Sequence, residues 1–181
     1  MSARPGRLIE LTHVALGGEI GSPQDWASRY LDDEHAQYAH KLLFSADALL
    51  LGRRTYEGLS AAYSEMRRTD FVERMNSIPK FVASRSLADA SWNATIIEGD
   101  AAAFVAELKH AGKSLLRYGN GPLDITLMEH GLIDEFHLLL TPVAVGKGQH
   151  LFEALEGAPQ LKLLDVSRFA SGVVVLVYAP G

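Results

Sequence analysis

Cysteine is absent from this 181-residue chain. That excludes disulfides, zinc–thiolate centres, iron–sulfur clusters and thiol catalysis, and makes the cytoplasm the expected setting. Long apolar runs are missing as well. Stretches such as "ALLL" and "VVVLVY" are too short to span a bilayer, and the opening "MSARPGRLIE" lacks the apolar segment of a signal peptide, so a soluble protein is expected. Positive charge is scarce: 17 Lys and Arg against 22 Asp and Glu give a formal net charge of −5. Nucleic acids and membrane surfaces demand a basic face, so neither is expected as a partner, and any anion site must be a local basic spot. Three chemical signatures are missing too. No "GxGxxG" follows the first strand, no "GxSxG" marks a hydrolase nucleophile, and no "HExxH" occurs among the seven histidines. His35 and His40 lie five apart, on different faces of a helix, and no metal site is expected.

What the chain contains is the make-up of one globular domain over residues 1–181: 48% hydrophobic and 22% charged residues supply a substantial core and argue against disorder. The stretch "LIELTHVALGG" reads as a first strand ending at Gly17-Gly18, followed by a loop with Pro23 and Trp26. From Asp32 or Asp33 an acidic start leads into the helix "EHAQYAHKLLFSA", then the apolar strand "ADALLLG". "TYEGLSAAY" and "TDFVERMNSI" read as helical, the second stopped before Pro79. "KFVAS" and "ATIIEG" are strands. Asp100 caps and Gly112 ends the helix "DAAAFVAELKHAG". The strand "SLLRYG", a helix from Pro122 to Gly131, and the strand "DEFHLLLTPVAVG" follow. The tail "QLKLLDVSRFASGVVVLVYAP" gives two strands around Ser171-Gly172. Alternating strands and helices, about eight and four, imply an α/β fold: a mainly parallel central sheet flanked by helices, with antiparallel C-terminal strands.

In such a sheet, ligands settle beyond the carboxyl ends of the strands, where backbone N–H groups and helix starts face a crevice. Three ends stand out. At Gly52-Arg53-Arg54-Thr55 an apolar strand meets a glycine and two guanidinium groups, a combination suited to phosphate. At Ser84-Arg85-Ser86, hydroxyls and a guanidinium suit a terminal phosphate. At Tyr118-Gly119-Asn120-Gly121-Pro122, small residues let the main chain approach a pyrophosphate as a helix begins. Any one of these is as readily an ordinary turn. Two basic ends and one glycine-rich end in succession suggest a groove for a dinucleotide carrying an extra phosphate.

The ordered set "LLLGRRTYEG", "MNSIPKFVASRSL", "LLRYGNGPL" and "GLIDEFHLLLTPVAVGKGQHLF" resembles the dihydrofolate-reductase-like superfamily, specifically the C-terminal reductase domain of the bifunctional riboflavin-biosynthesis proteins and its stand-alone relatives. The resemblance covers nearly the whole chain. It implies NADPH as cofactor, with Gly52, Arg53 and Thr55, together with Arg54, on the pyrophosphate side, and Ser84 and Arg85 at the adenosine 2′-phosphate. Gly119, Asn120 and Gly121 would lie under the nicotinamide half. Asn120 replaces the second glycine of the pair that forms a cis bond in dihydrofolate reductases. A non-proline cis bond costs about 2.5–4 kcal/mol, so that geometry is not carried over. The zinc deaminase half of the bifunctional relatives requires "PCxxC" and is excluded.

On the substrate side, family members often read Ser-Leu-Asp-Gly where this chain has Ala15-Leu16-Gly17-Gly18, and Glu19 could compensate for the missing acid. Trp26 followed by Asp32 and Asp33 resembles the tryptophan and helix carboxylate that bind and protonate the pterin in dihydrofolate reductases. A helix cap is an equally good account of Asp32. Hydride transfer asks the protein to align donor and acceptor carbons, to exclude water and to supply one proton, from an acid or an ordered water. The resemblance thus implies a reductase of a small-molecule C=N or C=O, nearest to the pyrimidine reductase of riboflavin biosynthesis. A dinucleotide-binding module without turnover is the alternative. A homodimer is also expected, with "VVVLVY" as an edge that needs cover.

Overall fold

The computed structural model describes residues 5–181. In chain order its elements are β1 (Leu8–Val14), α1 (Pro23–Trp26), a 3-10 turn (Ser28–Tyr30), α2 (Asp33–Ser45), β2 (Ala48–Gly52), α3 (Arg53–Ser64), α4 (Asp70–Ser77), β3 (Lys80–Ala83), β4 (Ala94–Ile96), α5 (Ala101–His110), β5 (Leu115–Tyr118), α6 (Pro122–Glu129), β6 (Glu135–Leu140), β7 (Leu161–Arg168) and β8 (Val174–Pro180). The backbone forms two compact units. One is residues 5–8 with His40–Tyr118; the other is Ile9–Ala39 with Gly119–Gly181.

In the first unit the strand order is β4-β3-β2-β5, with every neighbouring pair parallel. Leu49, Leu50 and Leu51 of β2 are completely buried, as expected of a central parallel strand covered on both faces. Each such leucine contributes about 1.5–3 kcal/mol of burial energy. Helix starts follow local chemistry. The Thr69 hydroxyl accepts from Val72 N–H at 3.2 Å to open α4, and Asp100 accepts from Ala102 and Ala103 N–H to open α5. Gly112, at φ +79°, lets the chain leave α5 in the left-handed region.

In the second unit the order is β1-β6-β8-β7. β1 and β6 run parallel, and β8 is antiparallel to both β6 and β7. This is the α/β class read from the sequence, mainly parallel with antiparallel C-terminal strands. Three details differ. β6 stops at Leu140 rather than running to Gly146, because Pro142 has no N–H for the ladder; Val143 and Val145 instead pack on Ala15, Trp26 and Ala27. The run "VVVLVY" is no edge: β8 is hydrogen-bonded on both sides, and the outer strand is β7. Six α-helices are present among the described residues rather than about four, since Pro23 starts the one-turn α1 and the helical stretches after Gly52 form α3 and α4.

Candidate functional site

The basic strand ends of the first unit come together through the parallel register. Gly52 pairs with Ala83, so Arg53 and Ser84 leave adjacent strands at the same level. Gly52 is also the N-cap of the 12-residue α3, and no side chain caps that helix start. A Cβ built on Gly52 would meet nothing within 4 Å. Open space therefore lies beside N–H groups whose aligned dipoles favour an anion. The Arg53 guanidinium donates from Nε to Glu57 Oε1 at 2.7 Å and from Nη1 to Ser86 Oγ at 2.8 Å, which ties α3 to the turn after β3. That turn is closed by Ser84 Oγ, which accepts from Ser86 and Leu87 N–H at 3.2 and 3.0 Å. Arg54 and Arg85 are exposed, and Thr55 is half-buried. Of these four charged side chains only Glu57 is negative, so the cluster keeps a positive excess. At the end of β5 the Tyr118 hydroxyl is buried with no hydrogen-bond partner among the described residues, and burial pushes its pKa well above the ordinary phenol value.

Gly119, Asn120 and Gly121 belong to the second unit. Gly119 sits at φ +80°, a backbone shape that suits glycine, and its N–H donates to Leu11 O at 2.9 Å. Asn120 is stapled on several sides. Its Nδ2 donates to Glu10 Oε1 at 3.0 Å, its Oδ1 accepts from Phe152 N–H at 3.3 Å, and its carbonyl accepts from Gln149 Nε2 at 3.4 Å. Gly121 N–H donates to Asp124 Oδ2 at 2.7 Å as α6 begins. The Asn120 side chain thus ties the loop to β1 and to the segment at Phe152.

Of the two candidate acids on α2, Asp32 is the helix cap. Its Oδ1 accepts from His35 N–H at 2.8 Å, and its Oδ2 accepts from Ser171 N–H at 3.0 Å. The His35 N–H bond is the main cause that lowers its pKa. Asp33 is exposed in the first turn. The more suggestive carboxylate is Glu19. It is 3% exposed, accepts from Gly146 N–H at 2.7 Å through Oε1, lies 4.0 Å from His150 Nε2, and leaves Oε2 buried with no partner among the described residues. Backbone N–H groups, its own first and that of Gly146 next, hold its pKa below the ordinary value. A Cβ placed on Gly17 would fall 2.5 and 2.6 Å from its two carboxylate oxygens. The Glu19 carboxylate thus fills the space a side chain at position 17 would enter.

Two groups had no local signal in the sequence. His13 and His35 meet across 22 positions at 3.2 Å, Nε2 to Nε2. Lys80, 1% exposed, donates to Ile78 O at 2.7 Å and lies 4.1 Å from the Trp92 ring centre.

The parallel strands with antiparallel C-terminal additions are those of the dihydrofolate-reductase-like fold. Schistosoma mansoni dihydrofolate reductase superposes with a TM-score of 0.59 at 14% identity, over 98% of this chain and 100% of the other. Within that fold, this chain belongs to the RibD C-terminal domain family, which it matches over residues 12–175. The uncharacterized protein YyaP of Bacillus subtilis (strain 168) is 32% identical over 95% of this chain and 94% of its own length. The Thermotoga maritima diaminohydroxyphosphoribosylaminopyrimidine deaminase/5-amino-6-(5-phosphoribosylamino)uracil reductase superposes with a TM-score of 0.68 at 17% identity, over 98% of this chain and 57% of that one.

Proposed function

We propose that this chain, one domain over residues 1–181, is an NADPH-dependent reductase that delivers hydride to a C=N or C=O of a small heterocyclic or sugar-derived substrate. The nearest known reaction is that of 5-amino-6-(5-phosphoribosylamino)uracil reductase. The observation that carries the reading is the α3 start: a glycine cap facing open space, flanked by Arg53, Arg54, Ser84 and Arg85. These residues fit a phosphorylated dinucleotide, because N–H groups, guanidinium groups and a hydroxyl are all donors and the flanking charge is positive. Family membership supports the same reading. Bound NADPH supplies the hydride. The chain's part is to hold the phosphates at Gly52, Arg53, Arg54 and Thr55, to meet the 2′-phosphate with Ser84 and Arg85, and to present the Gly119–Gly121 turn to the nicotinamide half. On the substrate side, the Oε2 of Glu19, with no hydrogen-bond partner among the described residues, is the group best suited to accept a substrate N–H or O–H, whereas both oxygens of Asp32 are already engaged.

The test is a titration with NADPH and NADH, comparing wild type with Arg85→Ala. Charge-assisted hydrogen bonds contribute about 1.5–3 kcal/mol, so NADPH affinity falls roughly 10- to 100-fold and NADH affinity stays put. Equal weakening for both cofactors removes the 2′-phosphate assignment. The second reading, a dinucleotide-binding module without turnover, is favoured by Ala15 and Gly17 in place of the family's polar pair. It wins where NADPH binds tightly yet is not consumed above background with any heterocyclic imine or carbonyl.

A cytoplasmic setting and a homodimer are part of the same proposal. β7 is the outer strand and exposes Leu163, Leu164 and Val166, an edge that calls for cover. Sedimentation showing only monomer at micromolar concentration sinks the dimer.

A further inference from the structure

The first two turns of α2 are held in the second unit mostly by titratable groups. Asp32 Oδ2 accepts from Ser171 N–H and Glu34 Oε2 accepts from Ala170 N–H, so two carboxylates grip the backbone of the turn between β7 and β8. Next along the helix, His35 Nε2 meets His13 Nε2 of β1 at 3.2 Å, with ring centres 5.1 Å apart, while its edge faces Phe169. One turn further, Tyr38 Oη donates to His137 Nδ1 of β6 at 2.5 Å, and His137 Nε2 donates to Glu135 Oε2 at 2.9 Å.

A hydrogen bond between two imidazole nitrogens works only when one carries the proton and the other offers its lone pair. A second proton in the contact sets two donors face to face and leaves one positive charge, and a further proton would make two like charges, inside a layer where desolvation already penalises charge. Little is at hand to offset it. His13 Nδ1 is buried with no hydrogen-bond partner among the described residues. The charged groups facing the pair are few. From α2 they are Asp32, whose charge partly offsets the burial of His35, and Glu34, both occupied by backbone donors. From β6 there is Glu135, bonded to His137, and from β7 Asp165, whose charge acts on Tyr38. Glu10 of β1 is engaged with Thr12 and Asn120. The pair is also a poor metal chelate, since a ligating histidine is normally braced by an acceptor at its other ring nitrogen, and His13 Nδ1 has none among the described residues.

We propose that the His13–His35 pair is an acid-released latch: with one shared proton it holds the start of α2 against β1 and the β7–β8 turn, and a second proton lets those two helical turns go. Burial, with His35 adding a smaller share, holds His13 down at about 4 in the closed form, and burial lowers His35 as well. The closed form therefore binds fewer protons. Its advantage is complete above the ordinary histidine value of 6.5 and drains away as pH falls from 6.5 towards 4. For His13 alone, linkage gives about a tenfold rise in the open fraction between pH 7.5 and pH 5.5.

Hydrogen exchange on the full chain tests this, with rates corrected for intrinsic pH dependence. Protection of the amides of residues 33–39, 170 and 171 is expected to fall about tenfold from pH 7.5 to 5.5, while the amides of β6 and β8 keep theirs. In the double variant His13→Gln/His35→Gln, which keeps two hydrogen-bonding side chains that cannot charge, the pH step is expected to vanish. A wild-type change below threefold, a loss of protection shared by β6 and β8, or an undiminished step in His13→Gln/His35→Gln each overturns the latch. The last outcome would assign the effect to a titrating group outside the pair. Should the variant fail to fold, an NMR titration of the wild-type imidazole protons decides: both rings titrating near 6.5 defeats the proposal, and depressed, mutually coupled titrations uphold it.

Discussion

Replacing Gly52 by aspartate should make the protein more stable and worse at its task. Gly52 lies at φ −81° and ψ 162°, an extended conformation open to any L-residue, and its missing Cβ faces empty space. An aspartate there would cap α3 by accepting from the N–H groups of Arg54 or Thr55. Aspartate betters glycine as a cap by a few tenths of a kcal/mol, and its charge against the helix dipole adds about 0.3–1 kcal/mol. The same carboxylate would occupy the space proposed for the pyrophosphate. Two like unit charges ~4 Å apart repel by ~4 kcal/mol at an effective dielectric of 20, which approaches a thousandfold in affinity. The expected outcome is a slightly higher urea midpoint together with a loss of NADPH affinity of at least about a hundredfold, read from nicotinamide fluorescence. Gly52→Ala is the control, filling the space without charge and costing far less affinity. Gly52→Asp binding NADPH as wild type does would refute the assignment of the α3 start to phosphate, whatever the stability result.

Other outcomes can be stated briefly. Gly17→Ala drives a methyl group to within 2.5 Å of the Glu19 carboxylate; the overpacking should cost about 1–3 kcal/mol in urea unfolding and lower turnover once a substrate is in hand. An unchanged midpoint would mean that the loop yields freely. Lys80 is pushed down to about 8, by burial first and by Arg74 second. The unfolded chain therefore binds the extra proton between pH 8 and 10.5, and stability should rise with pH across that window by no more than about 1.4 kcal/mol per unit. Lys80→Met should flatten the rise relative to wild type; parallel slopes in the two proteins would contradict the burial argument.

The sequence reports best on what is local. Three leucines bounded by aspartate and glycine could only be a buried strand, and an aspartate before "AAAFVAELKH" could only be a cap. The basic ends at Arg53 and Arg85 were legible because strand end and helix start are neighbours along the chain. What escaped depends on partners far apart in sequence. Asp32 has two engaged oxygens because Ser171 lies 139 positions away; His13 owes its state to a histidine on another element. "VVVLVY" has the composition of an edge that needs cover, yet its place between two strands is set by the order of the sheet, which no single segment encodes. The end of β6 is a different case, because Pro142 was in plain view and its missing donor outweighs the apolar residues after it.

Glu19 beside Gly17 shows how a carboxylate can stand over a position that has no side chain of its own. A glycine in the loop leaves room for a longer neighbour two residues downstream to bring its headgroup there. Comparisons made position by position would read no acid at position 17, while comparisons of where oxygens lie would find one beside it.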